Sequence, residues 1–138
     1  MTAKEYLKQY EYADRYAHRL RNEYIRENEL IDAVSLNADG MPHGFNIGKP
    51  TEEKAVRLSQ AFQRWKAAEV EAIAKRQQIF EAIKTVPGIE GDVLIERYVK
   101  LKKWEEICVE LHYSWYGVHN AHRRALRIVE ENIVKHTT

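Results

Sequence analysis

The placing of helix breakers constrains this chain more than any other feature. Of its six glycines and three prolines, Gly40, Pro42, Gly44, Gly48 and Pro50 fall in one stretch and Pro87, Gly88 and Gly91 in another. Only Gly117 stands alone. The chain therefore reads as a segment to about residue 36, a loop, a segment from 51 to 85, a short linker, and a block from 92 onward. Stretches this long without a breaker favour helix.

The first segment opens on Thr2 and Glu5, which have the spacing of a capping box. Ala3, Leu7, Tyr10, Ala13, Ala17, Leu20, Tyr24, Ile31 and Val34 then recur at helical spacing, with polar residues between. A helix over 3–35 would be about 50 Å long. The second segment begins Thr51-Glu52-Glu53, an N-cap residue before two glutamates that suit the positive end of a helix. Ala55, Leu58, Phe62, Trp65, Ala72, Ile79 and Ile83 form its apolar stripe, which predicts a helix over 51–85. Two long stripes joined by one loop predict an antiparallel hairpin over 1–86, with its loop at 36–50. Val70, Ile73 and Phe80 lie off the stripe and need burial too, so a symmetric dimer is expected. Tyr6, Tyr10, Tyr12 and Tyr16 read as packed or interface residues rather than a base-stacking platform, because no basic groove accompanies them. Met41, Phe45 and Ile47 are expected to fold back as a capping loop around His43.

Composition narrows the function. Lys plus Arg is 22 and Asp plus Glu is 21, a net charge of +1, which excludes a polybasic tail or an acidic disordered segment. No run of about 18 apolar residues occurs, so no membrane span is expected. The N-terminus lacks a secretory h-region, and the single Cys108 excludes a disulfide framework. The expected compartment is cytoplasmic. No phosphate-cradling glycine motif, nucleophile elbow or HExxH is present, so no catalytic activity, cofactor or metal is expected. His119 and His122 lie three apart without a third ligand type nearby, and read as solvated or DNA-facing.

Residues 92–138 carry the most informative pattern. Three helices fit it: Asp92–Leu101, Lys103–Leu111, and one from Trp115 past Val129. Trp104, Ile107, Cys108 and Leu111 face inward from the second. Val118, Ala121, Ala125, Leu126 and Val129 do so from the third. The turn His112-Tyr113-Ser114 joins the two helices, and Ser114 is of N-cap type. This is helix-turn-helix spacing. It turns Trp115, Tyr116, His119, Asn120 and Arg123 outward as a base-reading face, with Asn120 suited to bidentate adenine contact and Arg123 to guanine or phosphate. Lys100, Lys102, Lys103, Ser114, Arg124 and Arg127 are the candidate phosphate contacts. Residues 92–138 hold eight Lys/Arg against seven Asp/Glu, so Glu105, Glu106, Glu110, Glu130 and Glu131 are expected to turn away from that face.

The run Leu94-Ile95-Glu96-Arg97-Tyr98-Val99, then Trp104 to Leu111, then Tyr113-Ser114, Val118 and Arg124-Ala125-Leu126 resembles region 4 of bacterial sigma factors. The whole chain, with its two long helices and Gly-Met-Pro-His-Gly loop, is similar to small phage and prophage proteins of Gram-positive hosts, of the RinA and ArpU late-transcription kind. The resemblance implies an all-α fold, a hairpin followed by a sigma-region-4-like helix-turn-helix domain. It also implies sequence-specific binding of double-stranded DNA in phage transcription control, with host RNA polymerase a further partner. His112 replaces the usual turn glycine, where a left-handed residue is needed. Trp115 and Tyr116 stand where a charged reader is common. The other architecture that joins a helix-turn-helix to long helices is a small-terminase-like DNA-packaging component.

Overall fold

The computed structural model describes residues 1–39 and 48–137, with side chains described for 1–30 and 52–133. Every element among them is helical and none is a strand, so the chain is all-α. Helix α1 spans Ala3–Leu7 and α2 spans Gln9–Asp39. Helix α3 spans Gly48–Ile83, α4 spans Gly88–Leu94, α5 spans Trp104–Leu111 and α6 spans Trp115–Thr137.

The expected capping box forms. Glu5 N–H donates to Thr2 Oγ1, and Thr2 N–H donates to Glu5 Oε2, each at 3.2 Å. Lys8 separates α1 from α2, where a single helix over 3–35 was expected. Its backbone stays helical, donating to Lys4 O at 3.0 Å and accepting from Tyr12 N at 3.1 Å, so the interruption is a loosened turn. The second helix continues to Asp39 and the third starts at Gly48, which places Thr51 inside a helix instead of at its cap. Met41, His43, Phe45 and Ile47 lie outside the described residues.

The helix expected over Asp92–Leu101 is displaced at both ends. Pro87, extended at φ −83° and ψ 164°, starts α4 four residues early, and Gly88 makes the turn at φ 71°. After Leu94 the helix widens into a π-helical turn, Ile95–Val99, in which Lys100 N–H donates to Ile95 O five residues back at 3.0 Å. Leu101 sits at φ 57°, beyond the helix, and Lys102 N–H returns to Glu96 O at 3.0 Å.

The chain forms two compact units, 1–13 with 72–138, and 14–71. They divide the sequence differently from the expected 1–86 and 92–138. In the first unit Ala3 and Leu7 join Ile79, Ile83 and Val86 in one buried cluster with Leu94, Tyr98, Val99, Ala125 and Val129. Removing this apolar surface from water is the main driving force that ties α1 to α6. A second cluster in the same unit unites Val93, Ile107, Val118 and Ala121, with Trp104, Cys108 and Leu111 half-buried against it. In the unit formed by 14–71, Ala17 and Leu20 pack on Ala68 beside Trp65. Tyr24 there lies 5.4 Å from both the Phe62 and Trp65 rings. The partners of α2 thus recede along α3 as α2 advances, so the two run antiparallel where they touch. Among the described residues no helix is long and apolar enough to cross a membrane.

Candidate nucleic-acid interface

Three residues connect α5 to α6, and their geometry follows from the sequence. His112 ends α5 in the left-handed conformation, φ 58° and ψ 40°, with its N–H on Cys108 O and Val109 O. Such a C-terminal cap needs a positive φ, which histidine tolerates better than a β-branched residue. Ser114 then caps α6, its Oγ accepting from Gly117 N–H at 3.0 Å. A Cβ at position 117 would lie 3.2 Å from that Oγ, so glycine here leaves the cap room.

Val118, Ala121 and Ala125 face inward and are buried. The opposite side of α6 begins with Trp115, 53% exposed, and Tyr116, 73% exposed, and continues to exposed Arg123, Arg124 and Arg127. Tyr113 is exposed in the turn before α6, and Val109 is exposed on α5. Of the five expected base-reading residues, Trp115, Tyr116 and Arg123 are exposed, while His119 and Asn120 are half-buried.

His119 does not point outward. Its ring lies 4.6 Å from Trp104 and 4.4 Å from Trp115, and its Nε2 is buried without a hydrogen-bond partner. The Arg97 guanidinium lies over the Trp104 ring at 4.8 Å, and its Nη1 donates to Lys102 O at 2.9 Å. Arg97, Trp104, His119 and Trp115 are therefore in successive contact, with His119 tilted by 41° to Trp104 and by 49° to Trp115. Ring packing of this kind holds a large side chain at little rotamer cost.

His122 corrects the expectation more strongly. It is buried, not solvated or DNA-facing, with Nε2 2.7 Å from Tyr98 Oη and Trp104 packed at 4.8 Å. Burial pushes the Tyr98 phenol up to about 12, so it remains a donor. Burial, with lesser contributions from Lys4, His119 and Arg97, lowers His122 to about 4, so its imidazole is neutral, with one ring nitrogen a donor and the other an acceptor.

Three of the expected phosphate contacts are engaged by acids. Lys100 lies 2.8 Å from Glu96, Lys102 lies 2.7 Å from Glu96 and also pairs with Glu110, and Arg124 Nε donates to Glu90 Oε1 at 2.8 Å. Glu96 is almost fully buried. Burial pushes its carboxyl up, but hydrogen bonds from Lys100 and Lys102 outweigh this and hold it at about 2. Glu110 was expected to turn away from the basic residues and instead grips Lys102, raising that ammonium's pKa. Ser114 Oγ accepts the cap bond of α6, which uses a lone pair and not its hydroxyl hydrogen. Among the described residues, Lys103 and Arg127 are exposed and make no ion pair.

Two pairings in this face escaped the sequence reading. Arg123 Nη2 donates to Asn120 Oδ1 at 2.5 Å, a pairing whose i,i+3 spacing was visible. Glu90 with Arg124 is separated by 34 residues and had no local signal. Among the described residues no group of three or more His, Cys, Asp or Glu gathers to hold a metal.

No protein-family model, curated protein or solved structure matches the chain.

Proposed function

We propose that this chain is a sequence-specific double-stranded-DNA-binding regulator of phage transcription, with α5 and α6 as a sigma-region-4-like helix-turn-helix. The observation that carries the reading is the two-sided character of α6. Its inner side is small and apolar against α5, and its outer side begins with the exposed Trp115 and Tyr116 and continues through Arg123 and Arg127. A helix so arranged can enter a major groove, with its N-terminal residues at base edges. The three-residue turn and the Ser114 cap support the same motif. The long helices α2 and α3 serve as a hairpin for dimerisation or for contact with host RNA polymerase. Val70, Ile73 and Phe80, exposed on α3, support a homodimer.

The test is selection of duplexes from a random library, followed by affinity measurements at several salt concentrations. A defined site should be enriched. Lys103→Ala and Arg127→Ala should weaken specific and scrambled duplexes alike, each reducing the salt slope by about one. Lys102→Ala should act mainly on stability, because Lys102 is held between Glu96 and Glu110. An assembly of eight or more subunits with no preference among duplexes would reject the regulator and favour the packaging component.

A further inference from the structure

We infer that Asn120 is a positioning residue for Arg123, and that the two read a guanine as one unit. The inference rests on the duplex-binding reading above. Arginine has only donors, so the atom Asn120 offers its guanidinium must be the carbonyl oxygen. That oxygen accepts from Nη2 at 2.5 Å. Bidentate recognition of adenine by asparagine needs this same oxygen to accept from the adenine N6 amine while the amide nitrogen donates to N7. With the acceptor engaged by a cation, Asn120 is poorly placed for the adenine contact its identity suggests.

Arg123 loses little by the pairing. One of its five N–H groups is used, and the remaining four still include an adjacent pair able to meet guanine O6 and N7. What it gains is restraint. An exposed arginine samples many rotamers, and fixing one before binding reduces the ordering that base contact requires. Asn120 is half-buried and Arg123 exposed, so the restraint comes from the better-packed end of the pair. Of the neighbouring arginines, Arg124 is drawn toward Glu90 on α4, and Arg127 lies one turn farther along the helix. Arg123 is thus the first exposed arginine of α6 in chain order, on the same outer side as Trp115 and Tyr116.

The experiment is a double-mutant cycle on the full chain, read against duplexes that vary one base pair at a time around the selected site. Arg123→Ala should abolish preference for guanine at one position, a loss of about 5- to 100-fold in discrimination. Asn120→Ala should reduce preference at that same position, and the double variant should lose little more than Arg123→Ala alone. Asn120→Asp keeps the acceptor and should retain the guanine preference, although its negative charge lowers affinity for every duplex. A shift at a different base pair in Asn120→Ala, or additive losses in the cycle, would overturn the pairing while leaving DNA binding intact. A parent protein without any preference among duplexes would overturn the DNA-binding reading itself, and the pairing with it.

Discussion

Gly91→Ala should destabilise the chain by at least about 2–3 kcal/mol, against the usual direction for this substitution in a helix. Alanine is ordinarily favoured over glycine inside a helix by about 1 kcal/mol. Here a Cβ at position 91 would lie 2.0 Å from Val86 O and 3.0 Å from Val86 C. Both are backbone atoms, so no side-chain rotation relieves the overlap. Val86 belongs to the buried cluster with Ile83, Leu94 and Tyr98, and moving it disturbs that packing. Urea unfolding of the variant should show a lower midpoint with an unchanged slope. A midpoint equal to or above the parent's would mean that the segment from Val86 to Gly91 is not held as closely as the structure has it. Gly88→Ala is the companion variant: its position takes φ 71°, so its cost would come from backbone conformation rather than contact.

The sequence read the helical elements well where one physical cause dominated. The Thr2–Glu5 box, the buried Ala3, Leu7, Ala17 and Leu20 of the first stripe, and the left-handed His112 are local consequences of spacing or residue type, whereas on α3 the expected Ala55 and Phe62 are exposed and Ala61 and Ala68 are buried instead. Boundaries failed where tertiary contacts intervene. Pro87 and Gly88 read as linker because both break helices, yet Pro87 caps the start of α4 and Gly91 inside it meets the Val86 backbone. The π-helical turn has no simple sequence signature, and it shifts Leu101 from the end of a helix to a left-handed turn. On the candidate interface, periodicity turned Trp115, Tyr116 and Arg123 outward, and they are exposed. It misplaced His119 because a helical wheel cannot report that Trp104, from another helix, covers that position. Nor could it show how Lys100, Lys102 and Arg124 are engaged, for a related reason. Counting charges shows a near balance but not which acid meets which base, and Glu96, Glu110 and Glu90 take up all three.

The buried pair of Tyr98 and His122 makes stability depend on pH well above the carboxylate range. In the unfolded chain His122 titrates near 6.5. In the folded protein burial holds its imidazole neutral down to about 4. The unfolded state therefore binds the proton first. The contribution is complete above pH 6.5 and is lost as the pH falls toward 4, reaching about 2.5 kcal/mol between pH 7.5 and 4.5. Glu96 acts in a lower window. Its folded carboxyl is held at about 2, so its contribution is complete above roughly 4.5 and is lost below that. Unfolding free energies measured by urea at intervals from pH 7.5 to 4.5 isolate the histidine. Replacing both partners, Tyr98→Phe with His122→Phe, removes the hydrogen bond without leaving a buried polar atom alone, and should cost little at pH 7.5. That double variant should lose most of the dependence between pH 6.5 and 4.5. His122→Phe alone leaves the Tyr98 hydroxyl buried without its hydrogen-bond partner and should be less stable than the double variant at neutral pH. A slope that survives in the double variant would place the titrating group elsewhere, and equal stability of the two variants at pH 7.5 would mean that Tyr98 Oη reaches water when His122 is removed.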